Sequence, residues 1–399
     1  MLLFAVNAFL MVAIPIVRIE LQDTFSLSSS QVGLLTSIYT FTYCALAVPM
    51  GMAAARWGGR TVMAAIGLIV VGLVLFAVSS SFGWFMAARF LQGCGAACAM
   101  PVGTAIIVRA IVPERRGRAL GIFGAGLGFG TVVGFVSLRF AQEVGGYRAV
   151  FWVILGLAVV TGVAVLLNKA VRTAPPHSRE ETSPANLLHG LGKVAVNPRI
   201  WLLVIINTTA SAVTVAVIVW APGFLEDQRD ALNLAAYLTA ALGVAQLVGN
   251  PAGAALMGRW GKPATLLAAM GAMTVFTAAV PLPPGLLPAF VLILIVGFLT
   301  IAPLPPVLGS IPEIVSRPED IGPATGFIGV TNLIGMVSAP WIFGLLLDAY
   351  GRAPGEPGYL IGFLALAIFP LIGALAGLIY RLVTSGTDGA KLAARPAGR

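Results

Sequence analysis

The charged group in the least hospitable setting is Arg89, which stands inside an otherwise apolar stretch, 84–109. A guanidinium near the centre of a membrane-spanning helix costs about 2.5–3.5 kcal/mol on insertion scales, so its side chain must face a bundle interior or a water-filled cavity. Gln92 follows one helical turn later and shares that face. Two chemistries are open to the pair. Arg89 can attract an anionic or strongly polar solute through charge-assisted hydrogen bonds, or it can tie together the carbonyls of neighbouring helices.

Further polar residues in apolar surroundings are Asn7, Tyr39, Tyr43, Asn207, Thr208, Thr209, Ser211, Gln246, Asn250 and Asn332. In hydrocarbon such side chains turn inward, where each either lines a cavity or glues helices together at about 0.6 kcal/mol. Tyr39 and Tyr43, four residues apart, fall on one helix face and form a candidate polar or aromatic wall. With Arg89 and Gln92, the residues Asn7, Tyr39, Tyr43, Asn207, Gln246, Asn250 and Asn332 make up the candidate substrate-binding set.

The acids narrow the chemistry. All 15 Asp and Glu map to loops or helix ends, Glu226 and Asp227 among them, and both histidines, His177 and His189, sit in one polar segment. Proton relays commonly use a carboxylate or histidine embedded in the membrane. The placement here argues against such a relay and against an organic cation as cargo, and favours a neutral or anionic small solute. The sequence holds no phosphate-binding glycine loop, zinc-ligand cluster or nucleophile triad, so no enzymatic activity, metal or cofactor is indicated. Cys44, Cys94 and Cys98 lie inside apolar stretches without histidine or carboxylate companions and are assigned no chemistry.

The elements that must position these residues follow from composition. The 399 residues are 58% hydrophobic and 10% charged, with 47 glycines, and the mean hydropathy is +0.96. Soluble domains average about 25% charged residues, and so few charges cannot cover a water-facing surface. Apolar runs fall at 2–21, 31–54, 61–79, 84–109, 118–138, 149–168, 200–222, 233–256, 263–282, 286–309, 323–346 and 359–382. Runs of this length are predicted to be helices, because a helix satisfies its own backbone in lipid, whereas barrel strands would alternate over about ten residues. The prolines Pro303, Pro305 and Pro306 are predicted to break the tenth run.

A formal net charge of +9 could suggest nucleic acid, but the cations are scattered in short clusters between apolar runs, without a basic face. They read instead as topology. With the N-terminus inside, eighteen of the 24 Lys and Arg fall on the cytoplasmic side, and Arg18, Arg89, Arg139, Arg148, Arg229 and Arg352 are assigned to the outside. Both termini are therefore expected in the cytoplasm of an inner-membrane protein. The first run starts at Met1 without a basic leader and is expected to be a retained helix rather than a signal peptide.

One polar stretch, Ala170 to Pro198, divides the runs six and six. Arg56-Trp57-Gly58 returns as Arg259-Trp260-Gly261 at an offset of 203, and Pro113-Glu114 as Pro312-Glu313 at an offset of 199. Two like-oriented halves form a parallel repeat, with a pseudo-two-fold axis along the membrane normal and a cavity between them. The expected organisation is a six-helix bundle over 1–169, a cytoplasmic linker over 170–199, a second bundle over 200–383 and a cytoplasmic tail over 384–399.

The segment Gly51-Met-Ala-Ala-Ala55-Arg56-Trp57-Gly58-Gly59-Arg60-Thr61 resembles the loop signature of the major facilitator superfamily (MFS), and Arg89-Phe-Leu-Gln92-Gly93-Cys-Gly95-Ala96-Ala97 resembles that family's fourth-helix pattern. The resemblance extends over the chain in run number, linker and repeat. It implies an all-α membrane protein with the MFS fold, a transporter that exposes a midplane site to each side in turn. It assigns Gly51, Arg56, Gly58 and Arg60, with the second-half counterparts Arg259 and Lys262, a gating role. Ala55 stands where the family usually carries Asp, so Glu313, Glu319 and Asp320 are the acids available as partners. Gly126, Gly130 and Gly134 make a smooth stripe suited to close approach of a partner helix, and Thr131 replaces the proline of the family's antiporter signature.

The expectation is a monomeric carrier in the lipid bilayer that moves a small organic or inorganic anion, or a neutral polar solute. Efflux of hydrophobic compounds is the alternative within the family. A transport-incompetent receptor or assembly partner on the same fold is the alternative from another class.

Overall fold

The computed structural model describes residues 2–57, 59–99, 101–103, 113–167, 192, 194–229, 231, 235–315, 317 and 320–393. The expected linker at 170–199 lies outside the described residues except for a few at its end, as does the end of the tail.

The described residues form thirteen helices: α1 (Leu2–Phe25), α2 (Ser29–Ala45), α3 (Ala47–Trp57), α4 (Gly59–Val78), α5 (Phe82–Ala96), α6 (Pro113–Leu167), α7 (Pro198–Arg229), α8 (Ala235–Trp260), α9 (Lys262–Ala279), α10 (Leu286–Ile301), α11 (Leu304–Ile314), α12 (Ile321–Tyr350) and α13 (Gly358–Ala393). Helices and apolar runs are not one to one. The second run is α2 and α3, bent by 45° at Leu46. The tenth breaks between α10 and α11 at Ala302 and Pro303, where the proline cluster predicted a break. Runs five and six join as α6, divided by non-helical backbone at Gly145 and at Gly146, whose φ of +66° suits a residue without a Cβ. By length and hydropathy eight single helices can cross a membrane and the α2–α3 pair makes a ninth. The α6 helix counted among the eight consists of two limbs divided at Gly145 and Gly146.

The helices pack in two sets. Within the first, α1 lies along α6, and α4 packs on α5 and α6; within the second, α7 lies between α12 and α13, and α9 packs on α13. Three pairs join the sets: α2 with α12, α6 with α8, and α1 with α7.

The glycine stripe of the fifth run does bring helices together. A Cβ at Gly130 would lie 2.7 Å from the Ala8 Cβ, and one at Gly134 would lie 2.9 Å from a Val12 methyl, so α1 is the partner helix. On the other side of α6, Gly128 meets Leu247 of α8. That limb of α6 is therefore held between the two sets.

The two ends of the molecule differ. One end, the terminal face, carries Leu2, the α3–α4 link and the α8–α9 link; the other carries residues 25–28, 145–146 and 351–357. Near the second end α2 and α12 touch backbone to backbone, and a Cβ at Gly344 would sit 2.5 Å from the Ser29 carbonyl. Toward the terminal face the same helix buries Ala324 and Ile328 in its own set, while its other side meets no described residue. Among the described residues, nothing lies within 4 Å of a Cβ built at Gly326 or Gly329.

This contrast has a measurable consequence. Gly130→Leu should overpack the α1–α6 contact by about 1–3 kcal/mol and lower the melting temperature of the purified protein. Gly326→Leu should leave it within experimental scatter. Equal melting temperatures for the two variants would contradict the packing described.

Candidate functional site

Arg89 is withdrawn from solvent altogether, at 0% exposure. Its Nε donates to the Leu35 carbonyl at 3.1 Å, and its Nη1 donates to the Leu10 carbonyl at 3.0 Å and to Gln92 Oε1 at 2.9 Å. Gln92 Nε2 in turn donates to the Gly72 carbonyl at 3.0 Å. Two polar side chains of α5 thus reach α1, α2 and α4. The guanidinium also lies over the Tyr39 ring, 4.3 Å from its centroid. Tyr39 donates its hydroxyl to Asn7 Oδ1 at 2.6 Å and stacks on Tyr43. One donor is unused: Arg89 Nη2 is buried without a hydrogen-bond partner.

Five of the expected residues, Asn7, Tyr39, Tyr43, Arg89 and Gln92, therefore belong to one network in the first set. Asn207 and Asn332 form a second, with Asn207 Nδ2 donating to Asn332 Oδ1 at 2.9 Å and Thr208 beside them. Asn7 and Asn207 occupy comparable places in the first helix of each set, at an offset of 200 that matches the sequence repeat. Gln246 and Asn250 on α8 belong to neither network. Asn250 follows Gly243 by seven residues on the stripe that meets α6 and is exposed beyond that contact.

Of the expected gating residues, Gly51 lets α3 approach Pro101, whose Cβ would be 3.2 Å from one built there. Arg60 and Arg259 are exposed. Lys262 Nζ donates to Glu313 Oε1 and to the Gly309 carbonyl, both at 2.6 Å, so this pair closes within the second set. Asp320 is the half-buried residue that precedes α12. Gly58, Glu319 and the Arg56 side chain lie outside the described residues.

The end opposite the terminal face, where the two sets close on each other, holds a clasp of charges that the sequence reading distributed to the outside and to helix ends. Arg18 lies within α1 and is fully buried between the sets. Its Nη2 donates to Glu226 Oε2 at 2.9 Å and to Asp227 Oδ1 at 3.0 Å, and its Nη1 donates to Asp227 Oδ2 at 3.0 Å. Tyr359 of α13 donates its hydroxyl to Asp227 Oδ2 at 2.7 Å. Gly223 makes the space: a Cβ there would lie 2.8 Å from the Tyr359 hydroxyl and 3.0 Å from Arg18 Nε.

A second contact crosses the sets at the same face. The Ser29 and Ser30 amides of α2 donate to the Asp348 carboxylate at 2.7 and 2.8 Å. The first amides of a helix have no intrahelical acceptor, and the positive end of the helix dipole favours an anion. Ser28 and Gln31 close a capping box on the same turn, so α2 is capped by its own residues and by the other set. Deeper along α2, Ser37 Oγ donates to the Val337 carbonyl at 2.6 Å. Arg352 bonds to Gln22, and a cleft of about 420 Å³ opens beside it, lined by Ser28, Asp348 and Glu356 among others.

The clearest sequence signal for the clasp was Arg18 itself, an arginine within the run 2–21. It carries the same burial cost as Arg89, yet its nearness to a membrane face permitted a solvated reading.

The amino-acid sequence matches the profile described as Major Facilitator Superfamily over residues 1–317. The chain belongs to the Major Facilitator Superfamily. It is similar to an uncharacterized MFS-type transporter of Bacillus subtilis, YbcL, with 26% identity over 63% of this chain and 63% of that protein. It is 26% identical to a probable sulfoacetate transporter of Cupriavidus necator, SauU, over 92% of this chain and 88% of that one. A citrate exporter of Aspergillus niger is 30% identical over 36% of this chain and 29% of its own length. The chain thus spans under two thirds of YbcL and of the citrate exporter, and most of SauU. Its fold is shared with a bacterial homolog of the human lysosomal transporter Spinster, solved inward-facing and occupied, with a TM-score of 0.78, 19% identity and 95% coverage of both chains. The nucleoside transporter NupG gives a TM-score of 0.74 at 12% identity, over 95% of this chain and 99% of that one. This MFS chain is thus an all-α membrane protein whose named relatives are transporters.

Arg89→Ala removes charge-assisted bonds to two helices, each worth about 1.5–3 kcal/mol. The thermal stability of the purified protein should fall, and Arg89→Lys, with a point charge in place of a fork, should recover part of the loss. An Arg89→Ala protein as stable as the native one would show that these bonds do not hold the first set together.

Proposed function

We propose that this chain is a monomeric secondary transporter that carries a small organic or inorganic anion, or a neutral polar solute, across the inner membrane by alternating access. Both termini lie in the cytoplasm, so the terminal face is the cytoplasmic one. The observation that carries this reading is the asymmetry between faces. Arg18, Glu226 and Asp227 clasp the two sets at one end, while Gly326 and Gly329 of α12 stand clear of described neighbours toward the other. This is the geometry expected of a carrier whose cavity opens to the cytoplasm.

The solute class rests on chemistry. The described carboxylates sit near the ends of helices, so a cationic solute at mid-depth would meet no described counter-charge. Arg89 contributes positive charge there, and its Nη2 is a donor still to be satisfied. Its other nitrogens are committed to helix carbonyls, so solute contact requires Tyr39 to shift from the guanidinium face. Asn7, Tyr43, Asn207 and Asn332 supply neutral donors and acceptors around the two networks, and Asn250 adds another on the stripe that faces the first set. Two of the named relatives, the probable sulfoacetate transporter and the citrate exporter, support the choice of an anion.

Counterflow in proteoliposomes tests this. Vesicles preloaded with sulfoacetate, citrate, phosphate or a neutral sugar should show accelerated entry of the same labelled compound for at least one of them. Extrusion of a hydrophobic dye with no flux of any of these solutes would overturn the assignment in favour of efflux. Flux of none, with no switching of side accessibility at Asn7 or Asn207, would favour a non-transporting role.

A further inference from the structure

The cleft at the end where the sets close is divided between them. Gln22 and Ser28 of the first set lie on one wall, and Leu347, Asp348, Arg352 and Glu356 of the second lie on the other, around about 420 Å³. That volume falls within the range of small-molecule pockets, about 300–1,000 Å³. Of the charges that line it, Asp348 is satisfied, because the Ser29 and Ser30 amides hold both of its oxygens. Arg352 and Glu356 are not. Among the described residues, Arg352 engages only Nη1, on Gln22, and Glu356 only Oε2, which accepts from the Ala353 amide at 2.6 Å. These opposite charges share one cleft and form no ion pair with each other or with another described group. Both are held in place. Gln228 Nε2 donates to the Arg352 and Ala353 carbonyls at 3.0 and 2.7 Å, which anchors the turn between α12 and α13 to α7. Gly351 has a φ of +80°, and a Cβ there would collide with the Glu356 carboxylate.

We propose that this cleft binds a small zwitterion, a primary ammonium joined by a short chain to a carboxylate, sulfonate or phosphate. The anionic group takes the free Nε and Nη2 donors of Arg352, and the ammonium donates to Glu356 Oε1. An anion alone would be repelled by Glu356 and a cation alone by Arg352, so a ligand with both charges fits where either alone does not. The same chemistry occurs in a free amino acid and in the headgroup of an ethanolamine phospholipid. Because the two walls belong to different sets, the site is complete only while they are closed, and a bound zwitterion holds them so. Binding rests on the cleft alone; the hold on the closed face rests on the reading of the chain as an alternating-access carrier.

Equilibrium binding of labelled β-alanine to the full chain in phosphatidylglycerol nanodiscs tests the site. Unlabelled β-alanine or taurine should displace the label, whereas propionate and propylamine, each with one of the two charges, should not do so at the same concentrations. Arg352→Ala and Glu356→Gln should each raise the Kd by about tenfold or more, the loss of one charge-assisted bond. No saturable binding, displacement by propionate equal to that by β-alanine, or a Kd that both substitutions leave unaltered would overturn the proposal. The competitor comparison uses the native chain and stands whatever the variants do. Discs that also contain phosphatidylethanolamine separate the two sources: a raised apparent Kd for β-alanine supports the headgroup as occupant, and an unchanged one supports a free zwitterion. The hold on the closed face is read at Ser37→Cys, in a background without Cys44, Cys94 and Cys98, because Ser37 is fully buried where α2 meets α12. β-Alanine at ten times its Kd should slow maleimide labelling there by about tenfold. Labelling that bound β-alanine does not slow would overturn that hold. If Ser37→Cys is never labelled, with or without ligand, the failure belongs to the alternating-access reading, and the binding result decides the site by itself.

Discussion

A guanidinium taken wholly out of water has to be compensated at once, and Arg18 finds its compensation only across the divide between the two helix sets. Glu226 and Asp227 belong to α7, Arg18 to α1, and neither side can bury its charge without the other. Removing one partner of such a buried pair costs about 3–5 kcal/mol, because the remaining charge is stranded. The surrounding contacts depend on that approach. Asp348 can cap α2 only when α12 is drawn against it, and Gly33 and Gly344 permit the backbones to meet where α2 crosses α12.

A carrier must be able to undo what it makes. Two states interconvert usefully when they differ by a few kcal/mol, and the closed face is built from groups that water can replace. The Asp348 carboxylate and the Ser29 and Ser30 amides would be solvated on opening, as would Arg18 and its two acids. The interior of each set is different. Arg89 with its helix carbonyls, and the stacked Phe76 and Phe151 at 3.9 Å between centroids, are withdrawn from water within one set. The labile contacts lie between sets and the durable ones within them, as rigid-body motion of two halves requires.

Much of the architecture was legible in the sequence because lipid leaves a chain few options. Long apolar runs had to be helices, the proline cluster at 303–306 had to interrupt one of them, and the spaced glycines of the fifth run had to admit a partner. The polar residues of the first set also announced themselves, since Asn7, Tyr39 and Arg89 have no other way to be satisfied in hydrocarbon. The clasp was harder to read. Glu226 and Asp227 end a helix, and a helix end at a membrane face is ordinarily wet, so sequence alone does not distinguish a solvated pair from one roofed by another helix. The bend at Leu46 did carry a mark, since Pro49 three residues on has no amide to bond the Ala45 carbonyl.

The central claim is that Arg18 holds one face shut while the terminal face stands open. It is tested most directly by electron spin resonance distances in lipid, with one label pair at exposed Asp23 and Ala353 on the closed face and another at Trp57 and Trp260 on the terminal face. In the otherwise native chain the closed-face pair should give a short, narrow distribution. With Arg18→Ala that distribution should lengthen and the terminal-face distances should shorten, the two changing together. Distributions at both faces that Arg18→Ala leaves unaltered would contradict the account.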